Sequence, residues 1–171
     1  MFTRNTFLLA SVIAGVFVIA PQAAAAQERI DSAATFARLK TLVGTWETTD
    51  KATGRTGTWT YEMTGRDSTL IEGAGGMMTA YHLDKGTLVL THFCGAGNQP
   101  RMRIKSVADG GKRISFEMYD ITNLATPDSY YTNSLDVVFV SDDRVELAYG
   151  GTTAGRKSTQ TFVLTRKRSS R

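Results

Sequence analysis

Residues 58–63 read Thr-Trp-Thr-Tyr-Glu-Met, polar and apolar side chains in alternation. That period sets Trp59, Tyr61 and Met63 on one face of an extended chain and predicts a β-strand with one buried side. The same period returns at 113–118 (Arg-Ile-Ser-Phe-Glu-Met) and at 144–149 (Arg-Val-Glu-Leu-Ala-Tyr). Between these anchors lie seven further short candidates, at 44–49, 68–72, 77–83, 87–93, 101–107, 135–140 and 159–165. Turn signals separate them at 50–57, 65–67, 73–76, 84–86, 109–111, 141–143 and 150–155, where Gly, Asp and Ser cluster. About ten short strands with no helix between them predict an antiparallel meander. Such a sheet has to close or stack, because open edges pair with other chains. The expectation is an all-β fold, a single antiparallel up-and-down β-barrel of about eight to ten strands. A two-sheet β-sandwich is the alternative. Residues 122–132 (TNLATPDSYYT) carry no period and form the longest expected loop.

One helix precedes the strands. Residues 31–42 (DSAATFARLKTL) begin with a capping candidate, Asp31 or Ser32, and set Phe36, Leu39 and Leu42 at helical spacing. Further upstream, Arg4 stands before an apolar run from Thr6 to Ala20, Pro21 ends it, and Ala23 to Ala26 offer small residues for cleavage. This is the pattern of a secretory signal peptide over 1–26, removed after Ala26. The run is short for a membrane span, so no stable membrane insertion of the mature chain is expected. Localisation is then periplasmic or secreted, with one barrel domain over 27–166 and a basic tail over 167–171.

The chain's formal net charge of +4 needs the same division. Loss of Arg4 leaves +3, and Arg166, Lys167, Arg168 and Arg171 then account for four positives, so the body sits near −1. A nucleic-acid binder carries its basic residues as a stripe on the folded body. No such stripe exists here, and nucleic acid is not expected as a partner.

Two stretches carry resemblances. Leu42-Val43-Gly44-Thr45-Trp46, directly after the helix, resembles the G-x-W opening of lipocalins and the wider calycin group. That resemblance implies a tryptophan, Trp46, closing the barrel base against an arginine of the last strand, Arg166. Tyr81 to Met102 (YHLDKGTLVLTHFCGAGNQPRM) resembles a signature of small exported bacterial lipocalin-like proteins. It implies the fold and brings no catalytic residues with it.

The residues able to carry chemistry gather in that signature. His82 and His92 are the only histidines, and Cys94 is the only cysteine. His92 and Cys94, two apart on one strand, share a face. A three-residue turn through Gly86 would add His82 to that face, whereas a two-residue Lys85-Gly86 turn pairs His82 with Val89 and puts the histidines on opposite faces. Three chemical readings follow: a zinc or copper site without an evident fourth ligand, a Cys94 nucleophile with a histidine base, and noncovalent haem on His82 or His92. Against them stands plain structure, a small buried cysteine and hydrogen-bonded histidines. An unpaired cysteine in an oxidising compartment has to be buried, ligated or paired with another molecule, and burial is the expectation.

Residues 95–101 (Gly-Ala-Gly-Asn-Gln-Pro-Arg) read either as a ligand-reading rim or as a wide turn in which Pro100 ends pairing. Glu72, Glu117, Asp120 and Asp136 show no spacing that fixes an acid/base pair. The resulting functional expectation is a barrel that binds a small, mostly apolar molecule in its interior, with Tyr81, His82, His92, Cys94, Asn98, Gln99 and Arg101 as candidate ligand contacts. No cofactor is required and no catalytic residue is assigned. The alternative is an enzyme or a metal- or haem-binding protein using His82, His92 and Cys94.

Overall fold

A computed structural model describes residues 30–168; the segment expected to be a signal peptide, its expected cleavage point after Ala26 and residues 169–171 lie outside them. Helix α1 spans Ser32–Lys40. The Asp31 side chain accepts a hydrogen bond from the Ala34 amide at 2.9 Å, satisfying a first-turn donor that the helix itself leaves free. Ten strands follow: β1 Gly44–Asp50, β2 Thr56–Thr64, β3 Thr69–Ala74, β4 Met77–Asp84, β5 Thr87–Phe93, β6 Gln99–Ala108, β7 Arg113–Thr122, β8 Tyr131–Ser141, β9 Arg144–Thr153 and β10 Arg156–Arg166.

Each strand pairs antiparallel with its sequence neighbours, and β1 pairs with β10 to close the barrel. The fold is a closed ten-stranded up-and-down barrel, and closure removes the edges that an open meander would expose. The sandwich alternative is thereby set aside.

Strand alternation decides what fills the interior. Trp46, Leu70, Leu88, Leu90, Met102, Ile114, Phe116, Leu135, Leu147 and Leu164 are all buried and pack one end of the barrel. Helix α1 covers that end. Its Phe36 and Leu39, with Leu42 just beyond, join the same core. Lys40 reaches the Asp67 carbonyl in the β2–β3 turn, and the Arg38 guanidinium lies 4.3 Å from the centre of the Phe139 ring.

The first and last strands meet there. Trp46 is fully buried and donates its indole N–H to the Leu42 carbonyl at 2.7 Å. The Arg166 guanidinium lies 4.2 Å from the Trp46 ring centre and donates to the carbonyls of Val43 and Thr41. β1 and the helix exit are thus tied to the last strand by one cation over one indole, with two hydrogen bonds fixing the register.

Two turn readings change. Gly150 and Gly151, expected in a turn, lie inside β9, and the turn is Ala154-Gly155. A Cβ on Gly151 would sit 2.6 Å from the Tyr130 ring, and one on Gly150 would sit 2.2 Å from the Ser134 hydroxyl. Glycine is used here for close approach rather than for turning. Pro100, expected to end pairing, lies within β6 and pairs with Ile121 of β7. The β5–β6 ladder stops one residue earlier, at Thr91 with Arg101, so the proline ends pairing on one side only.

Candidate functional site

The end of the barrel opposite α1 is not filled. A cavity of about 270 Å³ opens there, lined by Trp59, Glu72, Ala74, Met77, Met78, Thr79, His92, Cys94, Gly95, Ala96, Tyr130, Thr132, Tyr149, Gln160 and Phe162. The strand register explains its polar side. Tyr61 of β2 pairs with Glu72 of β3, Glu72 with Thr79 of β4, and Thr79 with His92 of β5. Four neighbouring strands therefore place one inward-facing polar residue each in a single row across the sheet.

Glu72 is the centre of that row. It is 3% exposed, and three phenols donate to its carboxyl: Tyr61 to Oε2 at 2.9 Å, Tyr81 to Oε2 at 2.6 Å, and Tyr149 to Oε1 from across the barrel. Burial holds the Glu72 carboxyl above the usual carboxylate range, and the phenol hydrogen bonds work against that shift. Burial and the adjoining carboxyl also hold all three phenols well above their ordinary value, so they stay protonated donors. Trp59 packs beside them, its ring centre 5.0 Å from Phe162 and 6.5 Å from Tyr149. Its buried indole N–H makes no hydrogen bond among the described residues.

His92 is 6% exposed and packs at a tilt of 41° against Tyr149, with 5.6 Å between ring centres. Its Nδ1 shares a hydrogen bond with the Thr79 hydroxyl at 2.9 Å. Burial pushes its pKa down to about 4, so the ring is neutral in the folded protein at pH 7. The consequence for stability has a definite sign. An unfolded histidine takes up its proton near pH 6.5, while the folded one resists until about 4, so the stability present above 6.5 is lost as pH falls across that window. The difference in urea-unfolding free energy between the protein and His92→Gln is expected to shrink by roughly 3 kcal/mol from pH 7 to pH 4. Glu72 has the opposite sign: a raised carboxyl costs stability as pH rises through the carboxylate range. The comparison at fixed pH cancels that contribution.

The structure has the two-residue Lys85-Gly86 turn, with Lys85 at φ 47° and Gly86 at φ 83°. His82 pairs with Val89 and lies on the outer face, while His92 points inward. The cluster of two imidazoles and a thiol therefore does not form. Among the described residues no group of three or more His, Cys, Asp or Glu side chains is placed to hold a metal ion. Cys94, expected to be buried, is half-buried at the cavity mouth, because it opens the turn that its amide closes onto the Asn98 carbonyl at 3.0 Å.

The remaining candidates divide. Tyr81 reaches the Glu72 carboxyl below the cavity. Asn98 is buried and clamps the mouth, donating to the Tyr130 carbonyl at 2.7 Å. Gln99 bonds to Gly97 and Thr122. Arg101 pairs with Asp120 in the β6–β7 ladder and does not line the cavity. Residues 95–98 thus form a turn that positions the Tyr130 side of the mouth, Gln99 to Arg101 begin β6, and only Gly95 and Ala96 of the segment line the cavity. Sequence reasoning missed the assembly of Glu72, Tyr61 and Tyr149. The available signal was an acidic residue sharing strand parity with Leu70 and facing the Trp59-Tyr61 face, which becomes visible only once the β2–β3 register is known.

No protein-family model matches the chain, and no curated protein matches it. Among solved structures it is similar to Rv2717c from M. tuberculosis, with 16% identity over 78% of this chain and 98% of that one, at a TM-score of 0.41. It is also similar to EF1p2_mFAP2b bound to DFHBI, with 14% identity over 78% and 99% and a TM-score of 0.37. A redesigned β-barrel, b11L5F_LGL, matches with 14% identity over 75% and 94% and a TM-score of 0.31.

Proposed function

We propose that this is an exported lipocalin-like barrel that binds a small, mostly apolar molecule in the cavity at its open end. The observation that carries the reading is a cavity of about 270 Å³ with apolar walls and one convergent polar row. Ligand sites are typically concave and mostly apolar, with a few placed polar groups, and at this volume the occupant is small. Met77, Met78, Phe162 and Ala74 supply walls, and His92, Thr79 and Gln160 supply the polar contacts. Export rests on the segment from Arg4 to Ala26, whose charge, apolar run and small residues match a cleaved secretory signal.

Native mass spectrometry of protein purified from its own host tests both parts. The expected result is a chain beginning at Gln27 with a copurifying small molecule that dissociates on activation. An intact N-terminus would contradict export, and a bare chain that also takes up no small apolar probe would contradict the binding reading. A cavity-filling variant gives a second expected outcome. Ala74→Phe should abolish uptake of such a probe while shifting the unfolding free energy by less than about 1.5 kcal/mol, because the new ring enters space that is already empty.

A further inference from the structure

The cavity floor holds a buried carboxyl for which the described residues supply no cation. Glu72 enters no ion pair among the described residues. Buried carboxylates are rarely left without a charged or hydrogen-bonded partner. All three phenols can donate to the ionised form, which only accepts, whereas a protonated carboxyl would have to donate to one of the phenol oxygens and reverse that hydrogen bond.

The rest of the lining has the same character. Trp59, Tyr130, Tyr149 and Phe162 present aromatic rings, and Met77 and Met78 bring polarisable thioethers. Among the described residues neither lysine nor arginine lines the cavity. His92 and the three tyrosines are the titratable groups facing Glu72 from β5, β2, β4 and β9, and all are uncharged at pH 7. An anion entering here would meet a carboxylate and no positive charge. A cation would find the countercharge already in place, in an enclosure where low dielectric strengthens the attraction.

We propose that the cavity takes an organic cation, a protonated amine or quaternary ammonium with a small apolar body, its charge held by the aromatic wall above Glu72. This rests on the cavity being a binding site and adds the charge class of its occupant. The likeness in size and shape of three soluble probes isolates charge: choline, its neutral carbon isostere 3,3-dimethylbutanol, and the anion 3,3-dimethylbutanoate.

Each is titrated into the protein at pH 7 by calorimetry, with the methionine methyl signals followed by NMR. Choline is expected to bind about tenfold more tightly than dimethylbutanol, with dimethylbutanoate the weakest of the three. Glu72→Gln removes the charge and should bring the choline-to-dimethylbutanol ratio close to one. If dimethylbutanol or the anion binds as tightly as choline, or if Glu72→Gln leaves the ratio unchanged, the cationic assignment is overturned while small-ligand binding stands. If none of the three moves the Met77 or Met78 signals, both fall. Should the variant not fold, the comparison of the three probes on the unsubstituted protein decides the matter alone.

Discussion

Glu72→Leu is expected to lower the unfolding free energy by roughly 3 kcal/mol, read as a shift of the urea midpoint at pH 7. The carboxyl is the common acceptor for Tyr61, Tyr81 and Tyr149, and the substitution leaves three buried hydroxyls without it. Each orphaned buried donor costs about 1–3 kcal/mol, less whatever the phenols recover by bonding to one another and whatever is gained by no longer burying a carboxyl. Removing both sides of the interaction is far cheaper than removing one. Glu72→Leu combined with Phe at 61, 81 and 149 should therefore regain more than half of the loss. A single substitution as mild as a surface change would show that the phenols are satisfied elsewhere.

Trp46→Ala is expected to cost about 3–5 kcal/mol, the range for deleting a buried large aromatic side chain. The indole is fully buried, and its N–H holds the Leu42 carbonyl at the helix exit. It is also the surface on which Arg166 rests while that side chain bonds to Thr41 and Val43. The barrel is closed by the β1–β10 ladder, which begins at the Trp46–Arg166 pair. Loss of the indole should thus weaken closure as well as packing. Hydrogen exchange checks this: amides of β1 and β10 should lose protection together and ahead of those in β6 and β7. Uniform loss across all strands would show that Trp46 acts as core volume alone.

The ten strands were legible because nearly every one keeps one apolar face, as in 58–63 and 144–149, and a period of two survives without knowledge of any partner. The helix was legible from Asp31 and the spacing of Phe36, Leu39 and Leu42. Register was not. Whether His82 joins His92 turns on a single residue in the Lys85-Gly86 turn, and one step of slip moves every side chain to the other face. Glu72 was missed for the same reason: a carboxylate on a strand reads as an outward residue until Tyr61, Thr79 and His92 are seen in its row and Tyr149 arrives from 77 residues away. Gly150 and Gly151 misled in the opposite direction, because glycine that admits a neighbour's ring looks in sequence like glycine that turns. The conspicuous Gly95 to Arg101 segment turned out to build the mouth through Asn98 and Tyr130, with its arginine committed to Asp120.

The pieces converge on one physical picture, a barrel packed solid beneath its helix and left open above a carboxyl with three phenols. Methionine placement makes that picture directly measurable. Met77 and Met78 line the cavity, whereas Met102 is sealed in the filled half with no exposed surface. A titration of [methyl-13C]methionine-labelled protein with a small soluble probe should shift the Met77 and Met78 signals in a saturable way and leave Met102 unmoved. Signals of Met77 and Met78 that stay fixed while the probe concentration reaches tens of millimolar, or a Met102 signal that moves as far as theirs, would contradict the account.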